Sequence, residues 1–218
     1  MLGKRHFGIC AGLFAGLCLL AMNSSAAIAQ TGAKTGAKTK QPVTATACKP
    51  EPGKNHFVEF RSRTAASYGH SFVFFGKLGA AGKFGQFQVA GLHPKGDDPA
   101  VYMQGHVVPV PSETGASYGD LDEQFLTARY CVVLSEAEYN KLASFIRGLQ
   151  ARSKEWHAPT KNCNGFIGDI ARSVGLLAPP THILLPEHYV TMMRDLNGGK
   201  TSLASASASA GLWGSLGR

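Results

Sequence analysis

The sequence predicts an α+β domain in which an antiparallel sheet packs against helices. Short apolar runs bounded by glycine and proline fill the first half of the chain, which is typical of strands. Apolar residues at helical spacing fill the second half. Because the strands precede the helices and do not alternate with them, the order favours an antiparallel sheet. About 150 residues lie between two low-complexity ends, enough for one domain with its own core.

Four segments carry the strand pattern. They are NHFVEFRSR from residue 55, YGHSFVFFG at 68–76, FGQFQVAGLHP at 84–94, and residues 127–134 within DLDEQFLTARYCVVLS. The glycine-rich KLGAAGK joins the second to the third, which predicts a hairpin centred near Ala81 and Gly82. We also predict a strand for AVYMQGHVVPVP, with Pro109 and Pro111 marking its end or a sheet edge.

Three helices follow. Ser135 and Glu138 have the spacing of a capping box, ahead of an apolar stripe formed by Tyr139, Leu142, Phe145, Ile146 and Leu149. A second helix is predicted from about residue 162 to 174, before Gly175, a residue suited to ending a helix. The third, PEHYVTMMRDLN, begins with Pro186 and ends before a glycine pair.

The first 29 residues predict export. Residues 1–29 combine Lys4 and Arg5, an apolar run, and the small-residue cleavage site Ala27-Ile28-Ala29, the pattern of a signal peptide. A single membrane anchor is the alternative, but the small-residue site and the polar residues that follow it favour cleavage. No other stretch is long and apolar enough for a span. We therefore expect a secreted or periplasmic protein with a flexible leader at 30–53, a catalytic domain at 54–200 and a disordered tail at 201–218.

The charge balance is basic. The chain has 22 Lys and Arg against 14 Asp and Glu, and loss of Lys4 and Arg5 leaves 20 against 14. This balance suits an anionic envelope surface or polymer. No basic stripe with interleaved aromatic residues occurs, so nucleic-acid binding is not predicted. The oligomeric state cannot be read from the sequence.

Three cysteines remain after Cys10 and Cys18 leave with the signal peptide. In an oxidising compartment two of them can pair. Cys48, ahead of the first strand, and Cys131, within a strand, make the more natural disulfide, which leaves Cys163 over. No compact Cys-x-x-Cys spacing occurs, so neither a metal site nor a cofactor is predicted.

Cys163 stands where a helix begins, and the free N–H groups and positive dipole of a first helical turn stabilise a thiolate. Asn162 or Thr160 is available to cap this helix. The backbone N–H groups around Cys163 and Asn164 are suited to hold the oxyanion of a tetrahedral intermediate. Cys163 is therefore the candidate nucleophile.

A thiol nucleophile needs a base, and His70, at the start of the Phe-rich strand, is the best-placed imidazole in the sequence. A third group should orient that ring. The hairpin centred near Ala81 brings His93 opposite His70, since cross-strand neighbours lie about 5 Å apart. If the register differs, Gln88 or Gln86 would take this role.

GHSFVFFG, followed much later by KNCNGFIGDI, resembles the circularly permuted branch of the papain-like NlpC superfamily, which includes PPPDE-type peptidases and lecithin retinol acyltransferase-like proteins. In that branch a strand histidine precedes a cysteine that opens a helix within an Asn-Cys-x-x-Phe pattern. Asn162, Cys163 and Phe166 fit the pattern, and His70 fits the histidine position. His93 matches a second histidine that some acyltransferase relatives carry. The resemblance implies a permuted papain-like fold and an acyl-enzyme mechanism.

Together these features predict an exported cysteine hydrolase, an amidase or peptidase that acts through a thioester acyl-enzyme. Envelope peptides such as peptidoglycan stem peptides are the natural substrates for a basic exported enzyme. Two alternatives stay open. One is a lipid acyltransferase or thioesterase of the same fold, which a deep apolar groove beside Cys163 would favour. The other is a non-catalytic binding module whose three cysteines are structural.

Overall fold

The computed structural model describes residues 48–65 and 68–203. The predicted signal peptide, most of the predicted leader and the predicted tail beyond residue 203 lie outside the described residues. Within them the chain has the predicted α+β architecture, with antiparallel sheets packed against helices.

The main sheet has four strands in the order β3-β2-β1-β6: β1 (His56–Arg63), β2 (His70–Leu78), β3 (Phe84–Gly91) and β6 (Leu126–Leu134). All its pairs are antiparallel. The predicted hairpin is present, with a 3₁₀ turn at Ala80–Gly82 between β2 and β3. Arg63 at the end of β1 pairs with His70 at the start of β2.

A small second sheet contains β4 (His93–Pro94), β5 (Val110–Glu113) and β7 (Glu155–Trp156), and the helix α1 (Pro99–Gln104) precedes β5. The strand predicted across residues 100–111 is therefore wrong over its first half. The Asp98 carboxylate accepts a hydrogen bond from the Ala100 N–H at 2.8 Å, and Pro99 stands in the first turn. Both features start a helix, and they outweigh the β-branched residues that follow.

The other three helices form where the sequence predicts them: α2 (Glu136–Arg152), α3 (Cys163–Ser173) and α4 (Pro186–Leu196). The capping box on α2 is confirmed, since the Ser135 N–H donates to Glu138 Oε2 at 2.7 Å and the Glu138 N–H donates to Ser135 Oγ. The three helices bury their apolar stripes against one face of the main sheet, where Val58 and Phe60 lie.

The opposite face of the sheet carries a second, smaller core. Alternation along β1 turns Phe57 to this face, where it packs with Phe72, Phe74 and the disulfide between Cys48 and Cys131. The Cα atoms of the two cysteines are 5.3 Å apart. Because Cys48 is buried and bonded, the folded part of the chain begins before residue 54.

The folded part also continues past residue 200, because the Val133 N–H donates to the Thr201 carbonyl at 2.8 Å. Among the described residues, every helix is too short or too polar to cross a lipid bilayer.

Candidate active site

Asn162 caps α3 and so fixes Cys163 in its first turn. The Asn162 Oδ1 accepts a hydrogen bond from the Gly165 N–H at 3.0 Å, and its Nδ2 donates to the Ala158 carbonyl at 2.8 Å. Thr160, the other capping candidate, instead contacts His157 Nδ1. Cys163 is a free thiol with only 6% of its surface exposed.

The Asn164 side chain ties this helix to its surroundings. Its Oδ1 accepts a hydrogen bond from the Ser71 hydroxyl at 2.8 Å, and its Nδ2 donates to the carbonyls of His182 and Leu184 at 3.0 and 2.8 Å. Both amide protons are therefore in use. Only the backbone N–H of Asn164 is left for the oxyanion role that the sequence predicts.

Burial raises the pKa of the Cys163 thiol. Hydrogen bonds from the backbone N–H groups of Ser71, Asn164 and Cys163 act against this rise, but burial is the largest effect. The thiol is therefore protonated at neutral pH, and it needs a base before it can attack.

His70 and Cys163 line one cleft, which encloses about 200 Å³. They approach it from opposite sides of β2, because Ser71 points to the helices and contacts α3, whereas His70 points to the other face at the end of the strand. No hydrogen bond joins His70 to Cys163 within the described part of the chain. The structure therefore brings the two predicted residues to one cleft without a preformed ion pair.

The imidazole of His70 is almost completely buried. Its Nε2 has no hydrogen-bond partner, and it faces Gly91 so closely that a Cβ on Gly91 would lie 2.7 Å from this nitrogen. Burial, and then the charges of Arg63 and His93, hold the pKa of His70 well below its usual range. The ring is therefore neutral at neutral pH and able to accept a proton.

Asp120 lies behind the imidazole, with its Oδ2 3.9 Å from His70 Nε2. Arg63 Nε donates to its Oδ1 at 2.8 Å, and the N–H and hydroxyl of Ser117 donate to its Oδ2 at 2.7 and 3.0 Å. The sequence prediction missed Asp120. The one available signal was an arginine, Arg63, at an inward-facing strand position, which requires a buried acid elsewhere in the chain.

His93 lies beside His70, as the hairpin register predicts, with the two rings edge to face and their centroids 5.8 Å apart. Its Nδ1 donates to the Pro94 carbonyl at 2.9 Å, and its Nε2 is buried without a partner. His93 therefore makes no hydrogen bond that would orient His70, contrary to its predicted role.

Gln88, the alternative orienting residue, is excluded by its position. It pairs with Phe75 towards the other end of β2, it is exposed, and it does not line the cleft. Gln86 is likewise exposed near the hairpin turn. The register that brings His93 to His70 necessarily moves both glutamines away.

Aromatic rings form much of the cleft wall. Tyr102 of α1 stacks on Trp156 of β7 with ring centroids 5.5 Å apart, and Tyr68 lies 5.8 Å from Tyr102. Asp97 and Asp98 also line the cleft and are exposed to solvent. The sequence pattern does not predict this wall, because it assigns residues 100–111 to a strand, whereas Tyr102 lines the cleft from a helix.

A cluster of metal-binding residue types lies elsewhere, at Cys48, Glu59 and Cys131, whose ligand atoms are within 4.8 Å of one another. Both sulfurs belong to the disulfide, and a disulfide sulfur is not the thiolate that binds a metal. This cluster is therefore structural.

Comparison with known proteins gives no match to a family model, a curated protein or a solved structure. The resemblance to the permuted NlpC branch thus stays a prediction based on the His70 and Cys163 segments.

Proposed function

We propose that the protein is an exported cysteine hydrolase that cleaves an amide or related acyl bond through a thioester on Cys163. One observation carries the proposal: a free thiol at the start of a helix lines the same cleft as an imidazole that burial keeps neutral. A thiol and a base in one cleft are the minimum that nucleophilic catalysis requires.

In the proposed mechanism, His70 accepts the proton of the Cys163 thiol across the cleft, directly or through one water, as the sulfur attacks the substrate carbonyl. Backbone N–H groups of Cys163 and Asn164 stabilise the oxyanion. The imidazolium then donates its proton to the leaving group, and the thioester remains. Water attacks the thioester with His70 again acting as base, which releases the acid and restores the thiol.

The neutral state of both groups supports this order of events. The raised pKa of Cys163 and the lowered pKa of His70 disfavour a resting thiolate–imidazolium pair. Proton transfer therefore accompanies the attack of the sulfur on the bound substrate, and substrate binding also shields the cleft from water. Envelope peptides such as peptidoglycan stem peptides stay the proposed substrates because of the predicted export and the basic charge.

The aromatic cleft wall supports a second candidate, a thioesterase or acyltransferase that accepts an apolar acyl group. Tyr68, Tyr102 and Trp156 give the cleft a largely apolar surface beside the thiol. Such a surface favours burial of a hydrocarbon or an aromatic side chain over a strongly polar group. The non-catalytic alternative has less support, because Cys163 is not in a disulfide.

The test is covalent labelling at Cys163. We expect iodoacetamide and a p-nitrophenyl ester each to add one group to Cys163, identified by peptide mass mapping, with the acyl group lost again on incubation. Cys163→Ala should abolish labelling while keeping the fold. His70→Gln should slow acylation about a hundredfold or more at neutral pH, the usual contribution of a general base.

Circular dichroism of each variant separates loss of chemistry from loss of structure. Equal acylation rates for the parent protein and the folded His70→Gln variant would overturn the proposed pair. A panel of p-nitrophenyl esters and aminoacyl anilides then compares the two candidate substrate classes, since an acyl-lipid enzyme should prefer longer alkyl chains.

A further inference from the structure

The residues behind His70 form a buried charged pair that the mechanism above does not use. Arg63 and Asp120 have 6% and 1% of their surface exposed, although charged side chains are almost never buried without a reason. The pair is completed by hydrogen bonds from Arg63 to Ser117 Oγ at 2.8 Å and to the Ala65 carbonyl at 3.0 Å. Every polar group of the pair is thus satisfied.

The backbone conformation at Gly119 fixes the position of Asp120 in its loop. Gly119 has a φ of +82°, and a Cβ at this position would lie 2.7 Å from the Ala65 side chain. A residue other than glycine would therefore displace the loop and its carboxylate. The backbone of this segment is built around the position of Asp120.

We propose that the buried Arg63–Asp120 pair positions His70 and tunes its charge, with Asp120 balancing the imidazolium that forms when Cys163 loses its proton. This inference rests on the proposed function for its catalytic meaning. Neither residue touches the reacting atoms, so both are positioning residues that act through His70.

The electrostatics give the two members of the pair opposite effects. Burial raises the pKa of Asp120, but hydrogen bonds from Ser117 and Arg63 oppose the rise, and a carboxylate with three such donors is ionised at neutral pH. The Arg63 charge disfavours a second positive charge on His70. The Asp120 charge, 3.9 Å from Nε2, favours it.

The other groups around His70 do not take over this role. His93 is the titratable group on β4, Cys163 is the one on α3, and Tyr68, Tyr102, Asp97 and Asp98 line the cleft. The two cleft aspartates are exposed, so solvent screens their charges. Among the described residues that approach the ring, Asp120 is the buried carboxylate.

The test is the titration of His70, followed by the NMR signal of its Cε1–H and by the pH dependence of Cys163 alkylation. Asp120→Asn leaves Arg63 uncompensated, so the midpoint should fall, by about one pH unit or more. Arg63→Gln leaves Asp120 alone beside the ring, so the midpoint should rise by a similar amount. The double variant Arg63→Gln/Asp120→Asn should return close to the parent value.

Glu59→Gln is the matched control. It breaks a second buried pair on the same strand, in which Arg61 Nε donates to Glu59 Oε1 at 2.6 Å, farther from the imidazole. It should destabilise the protein without moving the His70 midpoint. Shifts of the same sign in Arg63→Gln and Asp120→Asn, or no shift in either, would overturn the inference.

The double variant keeps the test decisive if a single variant does not fold, because it retains a neutral hydrogen-bonded pair. It differs from Arg63→Gln only by the loss of the Asp120 anion, so its maximal acylation rate should be about tenfold lower than that of Arg63→Gln, since no anion then balances the imidazolium. Equal rates in these two folded variants would overturn the role of Asp120. The NMR titration reads His70 without any chemistry at Cys163, so failure of the proposed hydrolase and failure of this inference give different results.

Discussion

Two arginines on the same face of strand β1 each form a buried pair with a carboxylate, and the two pairs lie in different surroundings. Arg61 pairs with Glu59, contacts Glu123 and lies over the Phe74 ring at 4.2 Å, beside the Cys48–Cys131 disulfide. Arg63 pairs with Asp120 beside the His70 imidazole, whose Nε2 has no hydrogen-bond partner, at a cleft that also contains a free thiol. The two pairs consist of nearly the same residue types. The candidate active site differs from the structural cluster because it lines a cleft and contains a free thiol and a ring nitrogen without a hydrogen bond.

The largest expected effect is the loss of stability on removal of the Cys48–Cys131 disulfide, which should leave the free thiol of Cys163 reactive. The double variant Cys48→Ala/Cys131→Ala opens a bridge across a sequence separation of 83 residues. It should lower the free energy of unfolding by about 4 kcal/mol, because the unfolded chain gains loop entropy. Urea denaturation followed by circular dichroism measures this loss.

Alkylation of Cys163 in the same folded variant should proceed at the parent rate. Cys163→Ala is the control, with the bridge intact and the thiol removed. If breaking the bridge abolished alkylation of the folded protein, the two sulfur sites would be coupled and the comparison would fail.

A smaller effect is expected in the pH dependence of the thiol. Since burial raises the pKa of Cys163, its thiolate fraction grows throughout the range in which an ordinary cysteine is already titrating. The alkylation rate of the folded protein should therefore still be rising above about pH 9. The rate for the protein unfolded in urea, in which the same thiol is exposed, should be half-maximal near pH 8.5 and level off above about pH 9.5.

Stopped-flow or timed mass measurements provide these rates. A rate that is already constant below pH 7 would mean that a thiolate–imidazolium pair exists in the resting protein, which contradicts the neutral state of both groups.

The smallest effect concerns the second histidine. His93→Ala removes a ring that packs edge-on against His70 but does not hydrogen-bond to it. Acylation should slow by less than about tenfold, well below the loss expected for a general base. Gln88→Ala, at an exposed position on β3, is the control and should leave both stability and rate unchanged. An effect of His93→Ala equal to that of His70→Gln would make His93 a second base.

The sequence allows the fold to be predicted well where the pattern is local. The hairpin, the capping box of α2 and the start of α3 each depend on neighbouring residues, and all three are present. Helix α1 was missed because Asp98 and Pro99 override a run of β-formers.

The site was predicted only in part, for a different reason. The register of one hairpin is sufficient to bring His93 beside His70. Asp120 belongs to a loop far along the chain, and no periodic pattern encodes where such a loop folds back. Its partner Arg63 is visible in the sequence, but the acid that neutralises it is not.

Gly91 has a consequence for how the base is held. The absent side chain at this position leaves a notch in the neighbouring strand, and the His70 ring occupies it. The ring is thereby held by shape, and its Nε2 is left without an anchoring hydrogen bond. Gly91→Ala should therefore displace the His70 imidazole, although the substitution changes none of the residues that line the cleft.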